Sequence, residues 1–436
     1  MKVFKFGGTS VGSAAKIKNV ADIINTEDEK IVVLSAMSGT TNSLEEISGF
    51  LLAGKKEEAV VQIELLKKKY NNIVEDLFNS DEGISEGNEL IKQHFNYLLS
   101  FTRDVFTLFE ERSVLAQGEL ISTALLSLYL NEKKIKSVII PALNFMRIDK
   151  SLEPDEYYIR ENLKRELAQY PDQNIFITQG YICRNAFGEI DNLKRGGSDY
   201  SASLIGAQLE ADEIQIWTDI DGFHNNDPRY VEGTFPIKEL SFDEAAELAY
   251  FGAKILHPSS VLPAKIKNIP VWLKNTMQPE EDGTLITEKL IEGEIKAVAA
   301  KDGITAIKIK SGRMLLAHGF LRRVFEVFER YETPIDMITT SEIAVSVTID
   351  NPKYLTEIIK ELEAYAKVEV DDEQTIICAV GNLIAEEKGI ALKVIQALEN
   401  IPLRMISYGG SKHNISVLVN LKDKVSALNE LNDKLF

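Results

Sequence analysis

Cysteine is almost missing from this sequence. Two occur among 436 residues, Cys183 and Cys378, far apart in the chain. That excludes a disulfide scaffold and any cysteine-based zinc cluster, and it fits a reducing cytosol. Histidine is scarce as well: His94, His224, His257, His318 and His413 fall without metal-ligand spacing. Positive charge is in deficit, with 49 Lys+Arg against 67 Asp+Glu and a formal net charge of −18. A nucleic-acid partner would call for a basic stripe, so none is expected. An anionic small substrate is not excluded, because a few local cations and helix N-termini suffice to hold one. No uninterrupted apolar run reaches about 18 residues, so no membrane span is expected. The start, Met1 through Phe6, lacks the apolar stretch of a signal peptide. A cytoplasmic protein is therefore expected.

The length suggests about three domains at roughly 150 residues each. Residues 1–40 read strand, glycine turn, helix, strand. The run 31–34 is β-branched and continuous, as in a parallel sheet buried on both faces. Short apolar runs at 137–140, 175–178, 214–217 and 271–273 alternate with segments of helical period. That order predicts α/β architecture, a parallel-rich sheet with helices on both faces. Residues 55–115 are helical and charged, without strand signal, and read as a helical insertion or lid. From Thr305 the order becomes strand, helix, strand, strand, and then repeats. Ile343 and Ile415 open the last strands of the two copies, 72 residues apart, and Gly319 and Gly389 precede their helices, 70 residues apart. The repeat predicts paired ferredoxin-like modules.

The chemistry-bearing residues lie where strands are expected to end. Lys5-Phe6-Gly7-Gly8-Thr9-Ser10 joins a strand to a helix. Glycines let backbone N–H groups approach a phosphate, and a helix N-terminus adds positive potential. It is not a Walker A loop, since Ser13 stands where that loop needs Lys. A second small, hydroxyl-rich loop runs from Ser35 to Asn42 and includes Thr41. Ligands of open α/β sheets bind at such strand ends. A third, Arg195-Gly196-Gly197-Ser198-Asp199-Tyr200, opens a small-residue helix. Arg195 suits a carboxylate, Asp199 could position Lys5, and Ser198 and Asp199 equally fit plain capping. Thr218, Asp219 and Arg229 surround an Asp-Gly turn that could hold a nucleotide or be an ordinary turn. Lys254 sits among small and apolar neighbours and needs a ligand or counter-charge. Glu119 opens an apolar helix and fits either a first-turn dipole partner or a counter-charge for a substrate ammonium. Several cations, glycine loops and few acid/base groups suit phosphoryl transfer, which depends on positioning and charge stabilisation.

Taken in order, Lys-Phe-Gly-Gly-Thr-Ser at 5–10, Val-Leu-Ser-Ala at 33–36, Arg-Gly-Gly-Ser-Asp-Tyr at 195–200, Trp-Thr-Asp at 217–219, Asp-Pro-Arg at 227–229 and Phe-Gly-Ala-Lys-Ile-Leu-His-Pro at 251–258 resemble the aspartate kinases. The resemblance implies an amino-acid-kinase fold over 1–293 and two ACT modules over 294–436. The first module would span about 311–375, the second about 376–436 together with a strand at 304–310. It implies ATP-dependent phosphorylation of the β-carboxylate of L-aspartate, the first step of lysine, threonine and methionine biosynthesis. Lys5 would stabilise the transferring phosphoryl group and Asp199 would orient the cations. Gly7, Gly8, Ser35, Thr218, Asp219, Arg229 and Lys254 would bind ATP. Thr41, Glu119, Tyr181, Arg195 and Ser198 would hold aspartate. Magnesium would ride on the ATP phosphates, with no protein residue expected to ligate a metal. Lys194 and His224 depart from the family pattern, which more often has Gly and Tyr there.

In the C-terminal half, Met314, Gly319, Phe320, Leu321, Asp336, Thr340 and Ser341 resemble the effector site of lysine-sensitive members. The resemblance implies feedback inhibition by L-lysine and a homodimer through the ACT modules, or a tetramer. Two rivals differ in class. One is a kinase of the same fold acting on glutamate, which the insertion and the ACT pair disfavour. The other is a non-catalytic amino-acid sensor, which the populated kinase loops disfavour. No GxGxxG follows a strand, so no dehydrogenase module is expected.

Overall fold

The computed structural model describes residues 1–193, 196–252, 256–288, 294–310 and 319–436. They form two compact units. Met1–Gly222 and Leu256–Glu288 make the first, Phe223–Ile255 and Lys289–Phe436 the second.

In the first unit, strands lie in the order Val138–Ile139, Ile175–Gln179, Lys30–Leu34, Lys2–Phe6, Glu213–Thr218, Val271–Asn275 and Thr284–Thr287. Neighbours pair in parallel except the last, which is antiparallel to Val271–Asn275. Every residue of Lys30–Leu34 is buried, which is why its apolar run is continuous rather than alternating. Even Lys30 is enclosed; its ammonium donates to the carbonyls of Ile24 and Thr26 and to the Thr26 hydroxyl.

The stretch 55–115 is no lid. Helices Lys56–Leu77 and Asp81–Ser100 place Ile63, Leu66, Tyr70, Ile91 and Phe95 in one apolar core with Phe4, Phe6 and Leu34. Their charges occupy the outer faces, and the apolar residues recur at helical spacing on the inner ones. Leu108–Glu132 is long and apolar enough to cross a membrane by length and composition, with mean hydropathy 1.3. Yet 72% of its most apolar window is buried inside the protein, and Ile121, Leu125, Leu126 and Leu130 belong to the same core.

The second unit holds an antiparallel sheet in the order Ile338–Thr340, Ala344–Ile349, Ile295–Lys310, Lys367–Gly381, Asn414–Asn420 and Met405–Tyr408. Ile295–Lys310 and Lys367–Gly381 each serve two β-α-β-β modules. Their register shifts between Lys301 and Ala306, an irregularity that bends and twists a strand. Beyond it, Ile307 and Ile309 pack with Phe320, Val324 and Val347. Before it, Val298 packs with Ile377, Val394, Val417 and Leu428. The expected interleaving is therefore corrected: the 304–310 stretch packs in the first module, and the N-terminal half of its strand serves the second.

The boundary also differs from the expected 293/294. Phe223–Ile255 groups with the C-terminal half. Two buried amides, which must find hydrogen-bond partners, help tie it there. Asn226 Nδ2 donates to the Leu428 carbonyl at 3.0 Å and Asn225 Nδ2 to Asn432 Oδ1 at 3.1 Å, both on helix Lys424–Leu435.

Candidate active site

Adjacent parallel strands end in adjacent loops. At the end of Lys2–Phe6, a Cβ on Gly8 would lie 2.8 Å from the Ala36 carbonyl oxygen. Only glycine lets this loop abut the loop that follows Lys30–Leu34. The Ser38 N–H then donates to the Gly8 carbonyl at 3.0 Å. Across the site, helix Gly197–Leu209 begins at Gly196, whose φ is +62°. Its N-terminus presses on Gly180, where a Cβ would meet the Ser198 Cβ at 2.3 Å.

These loops line an open cavity of about 460 Å³. Lys5, Gly8, Ser35, Thr41, Glu119, Tyr181 and Ser198 line it, joined by Ser38, Asn42, Glu45 and glycines 196 and 197. The Lys5 ammonium lies 2.6 Å from Asp199 Oδ1, with both side chains largely buried. A cation so held has lost most of its freedom and points where the loops point. Tyr181 adopts φ 65°, an uncommon conformation for a bulky residue. Its N–H donates to Ser201 Oγ at 2.8 Å, and burial, with the nearby Glu119, pushes its hydroxyl up to about 12.

Glu119 is the most perturbed carboxylate of the cavity. Its side chain is 4% exposed. Oε1 accepts the Ala36 N–H at 3.1 Å, while Oε2 has no hydrogen-bond partner among the described residues. Desolvation pushes its pKa up to about 8. A buried carboxyl with one oxygen unsatisfied is a ready acceptor for a ligand's ammonium.

The remaining expected residues are placed differently. Gly7 is not part of the cavity wall; its N–H donates to the Trp217 carbonyl at 3.2 Å. Thr218 and Asp219 lie at the C-terminal end of the neighbouring strand, outside the wall, with the Thr218 hydroxyl donating to Asp219 at 3.1 Å. Arg229 belongs to the second unit, where it pairs with Asp227 at 2.6 Å. His224 is in that unit too. Lys194, Arg195, Lys254 and Met314 lie outside the described residues. Glu45 was missed from the sequence, although it sits one helical turn from Thr41 on helix Thr40–Leu52, the spacing that puts two side chains on one face.

The expected effector residues divide. Gly319, at φ +85°, precedes helix Phe320–Arg330. Phe320 belongs to the module's core, and Leu321, Thr340 and Ser341 are exposed. Asp336 is buried and already meets an ammonium of the chain itself: Lys301 approaches Oδ1 at 2.8 Å. The same lysine reaches Asp350 at 2.8 Å and lies over the Tyr250 ring, and the Tyr250 hydroxyl donates to Asp336 Oδ1 at 3.0 Å. Asp336 Oδ2 has no partner among the described residues. Tyr250 ends helix Phe242–Tyr250, and from that helix Glu247 accepts hydrogen bonds from Ser411 and Asn414, each at 2.6 Å.

A glycine loop, an ion-paired lysine and a helix N-terminus, gathered at parallel strand ends, define a small-molecule phosphotransferase. Residues 1–275 match the Amino acid kinase family and residues 377–435 match an ACT domain. The chain is 32% identical to the lysine-sensitive aspartokinase 3 of Escherichia coli, across 100% of this chain and 99% of that one. Two crystal structures of E. coli aspartokinase III resemble it, each 32% identical and covering 100% of this chain. The complex with lysine and aspartate (T-state) gives a TM-score of 0.85 with 99% of that chain covered. The complex with aspartate and ADP (R-state) gives 0.83 with 100% covered. The chain belongs to the aspartokinases: it is an ATP-dependent kinase with an amino-acid-kinase fold and C-terminal ACT domains.

Proposed function

We propose that the cavity transfers the γ-phosphoryl group of ATP to the β-carboxylate of L-aspartate, giving 4-phospho-L-aspartate. The observation that carries this is the pairing of opposite demands in one cavity: a fixed cation, Lys5, and a buried carboxylate, Glu119, with an unsatisfied oxygen. Aspartate offers both complements, a nucleophilic carboxylate and an ammonium. Its β-carboxylate is already ionised at neutral pH, so no protein base is needed. A carboxylate oxygen forms the new bond to γ-phosphorus as the bond to the ADP oxygen breaks. Lys5, held by Asp199, would stabilise charge on the equatorial oxygens. The backbone N–H of Gly8 and the Ser35 hydroxyl, both at the cavity wall, would hold phosphates, while Gly7, whose N–H is taken by the Trp217 carbonyl, would only shape the turn. Thr218, Asp219, Arg229 and Lys254 would complete the ATP site. Glu119 would meet the ammonium, Arg195 would grip the α-carboxylate, and Thr41, Ser198 and Tyr181 would shape the pocket. Magnesium would ride on the ATP phosphates and enter as MgATP. Aspartate-dependent ADP formation, with acyl phosphate trapped as a hydroxamate, tests the reading. Turnover with aspartate well above that with glutamate is expected; equal turnover would overturn it.

We further propose that L-lysine inhibits the enzyme through the ACT modules. The buried Asp336 Oδ2, without a hydrogen-bond partner among the described residues, supports an ammonium site there. Losing one partner of a buried charge-assisted contact costs about 2–3 kcal/mol, so Asp336→Asn should raise the half-inhibitory lysine concentration at least about tenfold. Unchanged lysine inhibition, or inhibition by threonine alone, would exclude this site. A cytoplasmic homodimer through the first ACT modules, or a tetramer of such dimers, completes the reading.

A further inference from the structure

One wall of the cavity is formed by the loop that runs from Ser35 into helix Thr40–Leu52. Ser38 and Thr41 line the cavity, and Thr40 between them does not. Thr40 is fully buried and turns away, placing its hydroxyl 2.8 Å from the Tyr70 hydroxyl. Tyr70 is itself fully buried on helix Lys56–Leu77, with its ring 5.9 Å from Phe95. The residue before it, Lys69, donates its ammonium to the Ser38 carbonyl at 2.8 Å. Two consecutive side chains of one helix thus hold the loop at the Ser38 carbonyl and at the Thr40 hydroxyl, on either side of Gly39, whose φ is +79°. On the other flank the loop meets helix Gln117–Glu132. A Cβ on Gly118 would lie 2.7 Å from the Ala36 Cβ and 3.5 Å from the Thr40 Cγ2, and Glu119 accepts the Ala36 N–H. The loop is therefore clamped between the helix that carries Glu119 and the helix that carries Tyr70.

A buried hydroxyl pair is a directional contact, worth keeping only if each partner is held. Tyr70 has no route to the cavity, so it is not a catalytic residue. An apolar side chain would fill the same volume; the hydroxyl adds direction rather than bulk. We propose that Tyr70, seconded by Lys69, is a positioning residue for the amino-acid substrate, fixing Thr40 so that Ser38 and Thr41 present to aspartate. The proposal rests on reading this cavity as the aspartate site. It assigns the helical insertion a task in substrate selection rather than in closing over the nucleotide.

The test compares the two substrates on purified full-length protein. Tyr70→Phe keeps the ring and removes one hydroxyl. The KM for aspartate should rise about fivefold, the fold-change that one net hydrogen bond is worth, while the KM for ATP stays within twofold. Thr40→Val should do the same, and the double variant should be no worse than either single one, as for two residues sharing one interaction. A variant that only loosened the fold would move both KM values and the melting temperature together. Additive effects, or an unchanged aspartate KM in Tyr70→Phe, would overturn the proposal. Glu119→Gln separates the two layers. If it raises the aspartate KM and Tyr70→Phe does not, the positioning role alone fails. If neither moves it, the cavity is not the aspartate site.

Discussion

Replacing Lys5 with alanine is expected to lower kcat by about a hundred- to thousandfold, the range for removing one charge-stabilising donor from a closed site. The loss has two parts. The cation aimed at the transferring group disappears. Asp199, 2.6 Å from that cation, is left as an uncompensated carboxylate beside incoming phosphates. The second part is separable. Lys5→Ala combined with Asp199→Asn should lose no more activity than Lys5→Ala alone, because two residues acting as one unit do not add. Aspartate-dependent ADP formation measures both, and circular dichroism confirms the fold. Wild-type turnover in Lys5→Ala would remove the lysine from the mechanism.

The second large effect is on aspartate affinity. Glu119→Gln is expected to raise the aspartate KM by about a hundredfold, since an ammonium left without its buried counter-charge costs roughly 3 kcal/mol. The pH profile carries the same information. Burial holds the Glu119 carboxyl at about 8, above its ordinary value of 4.5. At pH 7 the free protein therefore holds a proton that an arriving ammonium must displace. Binding releases that proton, so the aspartate KM should fall as pH rises toward 8, by up to about tenfold per unit. Lys5, Glu45 and Tyr181 face the same cavity, and Asp199 stands behind Lys5. Lys5 and Asp199 form a compensated pair, and the Tyr181 hydroxyl stays protonated over this range. Glu119→Gln should flatten the slope. The sign for stability is opposite. Ionising a carboxyl whose folded pKa is raised is harder in the folded state, so its contribution weakens between about pH 4.5 and 8. A slope that survives in Glu119→Gln would assign the titration elsewhere.

Much of this was legible in the residues. The β-branched run 31–34 was bound to be a doubly covered strand, and Gly7-Gly8 was bound to be a turn at a strand end. The offset between Gly319 and Gly389 announced two modules before any contact was known. The periodicity also placed 306–309 in the first module, as the structure has it, where the family resemblance had moved it to the second. Other things could not be read. The charges of 55–115 left a helical insertion or a lid open, because a count of charge ignores which face of a helix carries it. Asp336 looked like a carboxylate waiting for a ligand; Lys301, 35 residues earlier, had reached one of its oxygens. Tyr70 carries no motif, and its contact with Thr40 depends on a helix packing that no local pattern encodes.

The sequence alone determined the strand-and-helix alternation, the repeat and the identity of the loops that reach the strand ends, because these follow from local propensity and spacing. Tertiary structure decided the rest. It turned Thr40 away from the cavity and Thr41 into it, and it left one oxygen of Glu119 without a partner among the described residues. It also assigned Phe223–Ile255 to the C-terminal unit through two buried asparagines. Each of these is a matter of burial and hydrogen-bond satisfaction between residues far apart in the chain, and burial exists only once the chain has packed.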